Sequence, residues 1–186
     1  MKIFFWLVPI VLAGLQLLFV INSNGQIRYE ELAESVRNVF WVDHHMIYDG
    51  VSSNIGWNGS ILLIYKIFGF SLFATKYLRL GMLLASLFAL AWVLLKIMDE
   101  KKAIVVLLVL GLSPASFYFN THQNSVGIDF IYFPICLALI FLLKEKKGIW
   151  QMTITAVLGM VTMIAWMSYP SFVYYLLIIL KKLLWI

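Results

Sequence analysis

The predicted fold class is an all-α polytopic membrane protein with about six transmembrane helices and interfacial helices in a long first outer loop. Three features predict it. Of 186 residues, 63% are apolar and only 12% charged, against roughly 45–50% and about 25% in soluble domains. Apolar runs approaching the roughly 20 residues that cross a hydrocarbon core recur along the chain. Nine of the eleven lysines fall in positions that alternate with those runs, as the positive-inside rule describes. This composition excludes water-soluble enzymes and nucleic-acid-binding domains, so no nucleic-acid partner is expected. The single cysteine, Cys136, cannot form an internal disulfide or a thiol metal cluster.

The first span is expected over residues 3–21, interrupted only by Pro9, Gly14 and Gln16. A short basic start is also how a signal peptide begins, but no small-x-small cleavage site follows the run, so a retained helix is expected. Further spans are expected over 77–98, 103–119, 127–143, 149–167 and 171–180. With these spans, Lys2, Lys96, Lys101, Lys102, Lys144, Lys146, Lys147, Lys181 and Lys182 all lie on one side. That side is cytoplasmic by the positive-inside rule. The chain then belongs in a plasma (inner) membrane, with a cytoplasmic N-terminus and the lipid bilayer as its first partner.

Residues 57–75 are apolar enough to suggest one more span, but Lys66 lies in the middle. A central lysine costs on the order of 2.5–3.5 kcal/mol on insertion. A span here would also turn Lys76 and Arg79 inward and move Lys96, Lys101 and Lys102 outward. A re-entrant or surface-lying helix on the outer face is the preferred expectation.

The first outer loop, taken whole as residues 22–76, far exceeds the roughly 12–15 residues beyond which loops usually have a task. Between residues 22 and 56 it carries Arg28 and Arg37 against Glu30, Glu31, Glu34, Asp43 and Asp49, a net charge of −3 that suits the outside. Over 29–41, Tyr29, Leu32, Val36, Val39 and Phe40 recur at helical spacing, with charged residues opposite. This pattern predicts an interfacial amphipathic helix. It would deliver Trp41, Asp43, His44 and His45 to the membrane surface. A solvated helix whose charges only keep the loop soluble is the plainer account of the same pattern. Asp129 weighs against that account, because it opens the fourth span after the polar loop containing His122. An ionisable residue at the mouth of a span marks a functional candidate. Two carboxylates, Asp43 and Asp129, on one outer cavity would suit base catalysis or cation binding.

The order of these features resembles a known family. After the acidic outer loop comes Phe68-Gly69-Phe70-Ser71-Leu72-Phe73-Ala74, then Leu78-Arg79-Leu80 opening a span. Leu112-Ser113-Pro114-Ala115 follows a lysine-rich turn, and Asp129 follows a polar loop. The chain resembles the N-terminal membrane module of the GT-C glycosyltransferases, which include protein mannosyltransferases and lipid A aminoarabinose transferases. The resemblance implies a membrane transferase that moves a sugar from a polyprenyl-phosphate donor to an acceptor on the outer face. It implies Asp43 as the base on the acceptor and Asp129 as the assisting carboxylate. The family often has Asp-Glu where this chain has Asp43-His44, so Asp49 is a substitute candidate. His44, Asp49, Lys76, Arg79 and His122 are the candidate substrate-binding residues. Lys76 and Arg79 stand on the outer side against the positive-inside trend, and phosphate binding competes with snorkelling to the interface as their role.

His45 and Asp49 would share a helix face at i,i+4 spacing and are candidate ligands for a divalent cation. Histidines that merely bond to water or headgroups are commoner, and no cofactor is required. Asn58-Gly59-Ser60 has the form of an N-glycosylation sequon, a pattern that also arises by chance. Pro114, Pro134 and Pro170 are expected at kinks or helix ends. Trp6, Trp41, Trp57, Trp150, Trp166 and Trp185 are expected in the aromatic belts.

GT-C enzymes are several times longer than this chain, and the resemblance covers only their front. Two alternatives therefore stand beside the transferase. One is a small non-catalytic subunit, or transferase remnant, with a partner membrane protein in an envelope-assembly complex. The other is a transporter or channel.

Overall fold

The structure is a computed structural model and describes residues 2–22, 40, 55–69, 74–114, 116–117 and 129–168. Among them are six main helices and no strand. They are α1 (Lys2–Asn22), α2 (Ile55–Phe68), α3 (Ala74–Ile97), α4 (Glu100–Gly111), α5 (Asp129–Glu145) and α6 (Ile149–Ser168). The interfacial helix expected over 29–41 and the run 171–180 lie outside the described residues, apart from Phe40, which is helical and half exposed.

Two helices, at Tyr77–Ile97 and Ile149–Ser168, are long and apolar enough to cross a membrane. The surface agrees with that character. Phe4, Leu7, Ile10, Val11, Leu15, Leu18 and Phe19 stand exposed along α1, and Trp150, Met152, Met160, Met163 and Trp166 along α6. Apolar faces this extensive are unsuited to water and suited to lipid.

α3 is the hub. One stripe, Leu80, Leu83, Leu87, Ala91 and Leu94, packs with Phe5 and Leu12 of α1 and Ala103 and Leu107 of α4. Leu78 and Met82 turn toward a second cluster formed by Trp57 and Ile61 of α2, Tyr132 and Cys136 of α5, and Ala165 of α6.

Directions follow from pairs of contacts. Ser86 of α3 donates to Phe130 O at 3.2 Å, and Lys96 pairs with Glu145 at 2.7 Å, so α3 and α5 run parallel. Gln16 of α1 donates to Gly111 O at 3.2 Å and to Ser116 Oγ at 2.8 Å. Phe19 meets Phe117 edge-on at 5.4 Å, so α1 and the α4 segment are parallel too. Only Met98 and Asp99 join α3 to α4, and only residues 146–148 join α5 to α6. The Lys96–Glu145 bridge ties both turns together. Lys96, Lys101, Lys102, Lys144, Lys146 and Lys147 therefore share one end of the bundle.

Three local features shape the elements. Asp99 caps α4, accepting from Lys102 N at 3.0 Å and pairing with Lys102 Nζ at 2.9 Å. Those bonds hold the Asp99 carboxyl below its usual range, and the same carboxylate raises Lys102. The helix expected to continue to residue 119 instead stops at Gly111. Pro114 has no amide for Leu110 O, so the Ser113 hydroxyl takes that carbonyl at 3.0 Å and then accepts from Ser116 N at 3.2 Å. Ser113 thus caps a new turn with Pro114 at its first position, the place in a helix that tolerates proline. In α5, Pro134 likewise frees Phe130 O, which accepts the Ser86 hydroxyl.

Within 57–75 the described residues belong to α2, to Gly69 after it and to the start of α3. α2 has 14 residues, about 21 Å, short of the roughly 30 Å hydrocarbon core. It ends at Gly69, whose φ of +80° suits glycine and whose N–H bonds Tyr65 O at 2.9 Å. α2 is not laid on the outside of the bundle. Trp57, Asn58 and Ile61 are buried between α3 and α6, and Lys66 is exposed. Gly56 explains the close fit, since a Cβ there would strike Ile164 O and lie 2.6 Å from Ser168 Oγ.

Candidate functional site

The end of the bundle away from the lysine turns gathers the unusual polar groups. Arg79 lies in the second turn of α3, and Lys96 follows it 17 residues later on the same helix, about 25 Å away. The Arg79 side chain is 0% exposed, because it projects from the hub helix into the α2–α5 side of the bundle. Its Cζ lies 5.6 Å from the centre of the Trp57 ring. That burial removes snorkelling as its role. It also takes Trp57 out of the aromatic belt, since the indole is 1% exposed and covers the guanidinium.

A ring face under a desolvated cation contributes about 2 kcal/mol. This offsets only part of the several kcal/mol lost in burying a charge. Ser86 is seven residues after Arg79, two turns along the same face of α3, and bonds the carbonyl of Phe130. The α5 N-terminus at Asp129 therefore begins against that face. Arg79 lies about 10 Å along α3 from the point where α5 begins, toward the end of the molecule away from the lysine turns. Lys76 stands three residues before Arg79 on α3, placed by its backbone.

Asn58 was legible only as part of a sequon. It is 3% exposed inside α2, so it is not a surface acceptor for glycan, and the Ser60 hydroxyl of the motif bonds Gly56 O at 2.8 Å. Among the described residues, the Asn58 Nδ2 has no hydrogen-bond partner. On the neighbouring helices, Ser168 bonds Ile164 O at 2.7 Å and faces Tyr132. Cys136 sits deeper, 3.9 Å from Thr162 Oγ1 and buried.

Asp43, His44, His45, Asp49 and His122 lie outside the described residues. Among the described residues, no group of three or more metal-ligating side chains forms.

The sequence singles out Arg79, whereas Asn58 stands out only within a sequon, Gln16 only as a break in the first span, and Ser86 not at all. Each is a polar residue set in an apolar stretch, and in a bundle of this composition such residues are candidates for buried pairing.

Among the described residues, the fold and this site define an all-helical protein with two helices long and apolar enough to cross a membrane and a buried arginine at one end. Comparison with protein-family models, curated proteins and solved structures finds no match for the chain.

Proposed function

We propose that the chain is a plasma-membrane protein of GT-C glycosyltransferase type, or the N-terminal part of one, acting on a polyprenyl-phosphate-linked sugar at its Arg79 end. The observation that carries this is the fully buried Arg79 guanidinium, in an apolar bundle and remote from the lysine-rich end. Positive charge held in a water-poor site suits an anionic leaving group. In the proposed reaction, Asp43 takes the proton of an acceptor hydroxyl, and Asp129 assists. The acceptor oxygen bonds to the anomeric carbon. The sugar–phosphate bond breaks with its electron pair passing to the polyprenyl phosphate, which Arg79 and Lys76 steady. His44, Asp49 and His122 contact substrate, and six spans place the Arg79 end outward.

The test is transfer from a polyprenyl-phosphate sugar by the protein in native membranes. Asp43→Asn and Asp129→Asn each lower transfer by at least a hundredfold with normal expression, and Arg79→Gln raises the donor KM. Unchanged transfer in both aspartate variants overturns the assignment.

The sparse burial of α6, where Ala165 and Ser168 are the buried residues, favours a second reading as a non-catalytic subunit seated against a larger membrane enzyme. Co-purification of a stoichiometric partner, lost on Met160→Lys, would favour it.

A further inference from the structure

We infer that the N-terminal part of α2 is an oxyanion site, in which Asn58 Nδ2 and the Arg79 guanidinium take oxygens of a phosphate-type group. The inference deepens the phosphate-handling reading above and rests on it, adding α2 and Asn58 to the binding surface.

Asn58 carries the argument. Its amide nitrogen is a strong donor, the residue is only 3% exposed, and the nitrogen makes no hydrogen bond among the described residues. A buried donor left without an acceptor is costly, whereas a leucine of similar size at the same position would not be. An acceptor oxygen arriving from outside the chain gives the asparagine a use. Three observations define its chemistry. Trp57, the residue before Asn58 on α2, has its ring centre 5.6 Å from Arg79 Cζ, so the same turn of α2 that carries the donor also meets a positive charge. Asn58 is the fourth residue of a 14-residue helix, whose N-terminal end carries the positive pole of the helix dipole. Helical side chains lean toward the N-terminus, which inclines Asn58 toward that pole. A cation, a neutral donor and a helix N-terminus together select a group with several oxygens and negative charge, for which a phosphate monoester is the simplest candidate. Gly56 lets this end of α2 seat against Ile164 and Ser168, which anchors the donor.

The experiment uses the full chain in phosphatidylcholine nanodiscs, with inorganic phosphate and dodecyl phosphate as probes and dodecanol as the uncharged control. Binding is read by calorimetry and thermal stability by the Tm in phosphate-free buffer. Wild type binds dodecyl phosphate and not dodecanol. Comparable affinity for inorganic phosphate identifies a free anion as the natural occupant, and preference for the alkyl ester identifies a lipid phosphate. Either outcome supports an oxyanion site. Asn58→Leu weakens binding about tenfold or more while its Tm equals or exceeds that of wild type. Asn58→Asp keeps the shape, replaces the donor by a negative charge and abolishes binding. Equal affinity in wild type and Asn58→Leu overturns the role of Asn58 but leaves the phosphate reading standing. Absence of binding to either probe by wild type overturns both.

Discussion

Pro134 and Pro114 each withdraw an amide from a helix, and in both cases a serine hydroxyl takes the carbonyl left over. Ser86 reaches across from α3 to Phe130 O, and Ser113 turns back to Leu110 O. In an apolar bundle an orphaned carbonyl finds no water, so these hydroxyls stabilise the helices more than their single bonds suggest. Ser86→Ala is expected to cost about 1–3 kcal/mol of stability. In a Pro134→Ala background, where an amide returns to bond Phe130 O, the same substitution costs markedly less. A double-mutant cycle on Tm measures that coupling. Additive losses would show that the hydroxyl does not serve the proline. Gln16 acts similarly between α1 and α4, with bonds to Gly111 O and Ser116 Oγ. Gln16→Leu is expected to lower stability by about 1–3 kcal/mol, because Gly111 O loses its donor inside the bundle.

Among the elements, α2 depends most on a single residue. Gly56 permits backbone contact with Ile164 O, and carbonyl positions in a helix do not swing aside as a side chain would. Gly56→Ala therefore pushes α2 off α6, with an expected loss of about 1–3 kcal/mol and weaker binding at Asn58, both measurable on the same nanodisc sample. The start of α4 responds to pH. The Asp99 carboxyl is held below its usual value by the Lys102 bonds. Its contribution is therefore fully present above the ordinary aspartate range and is lost as pH falls through the lowered value. Lys102 is raised by the same pair, so its contribution is present below the ordinary lysine range and lost as pH rises through the raised value. Asp99→Asn should remove the acid-side fall in Tm while leaving the neutral plateau slightly lower. An unchanged acid limb would assign that fall to other carboxylates.

For the whole molecule, the Lys96–Glu145 bridge brings the α3–α4 and α5–α6 turns to one end. Cys136 is buried, and replacing it by serine gives a background without accessible thiol. In that background Lys101→Cys and Lys147→Cys are expected to react with an impermeant maleimide from the same side, in inside-out vesicles only. Labelling from opposite sides would refute the bundle, and labelling only in right-side-out vesicles would reverse the proposed orientation.

Composition and the length of the apolar runs were enough to predict helices, two of them long and apolar enough to cross a membrane, because hydropathy is a property of each residue in its own stretch. Helix positions such as Ile149–Ser168 could be read for the same reason, whereas the span expected over 103–119 ran through Pro114 and ends at Gly111 instead. Lys66 argued for a re-entrant or surface-lying helix over 57–75, whereas the packed position of α2 depended on Gly56 meeting a carbonyl more than a hundred residues away. The same long-range packing decided that Arg79 is buried beneath Trp57 rather than extended to the interface, and that Asn58 is an interior donor rather than a surface sequon. Local pattern records what a residue prefers. Burial, and the partners that burial demands, are set by helices distant in sequence, and only the tertiary structure brings those helices together.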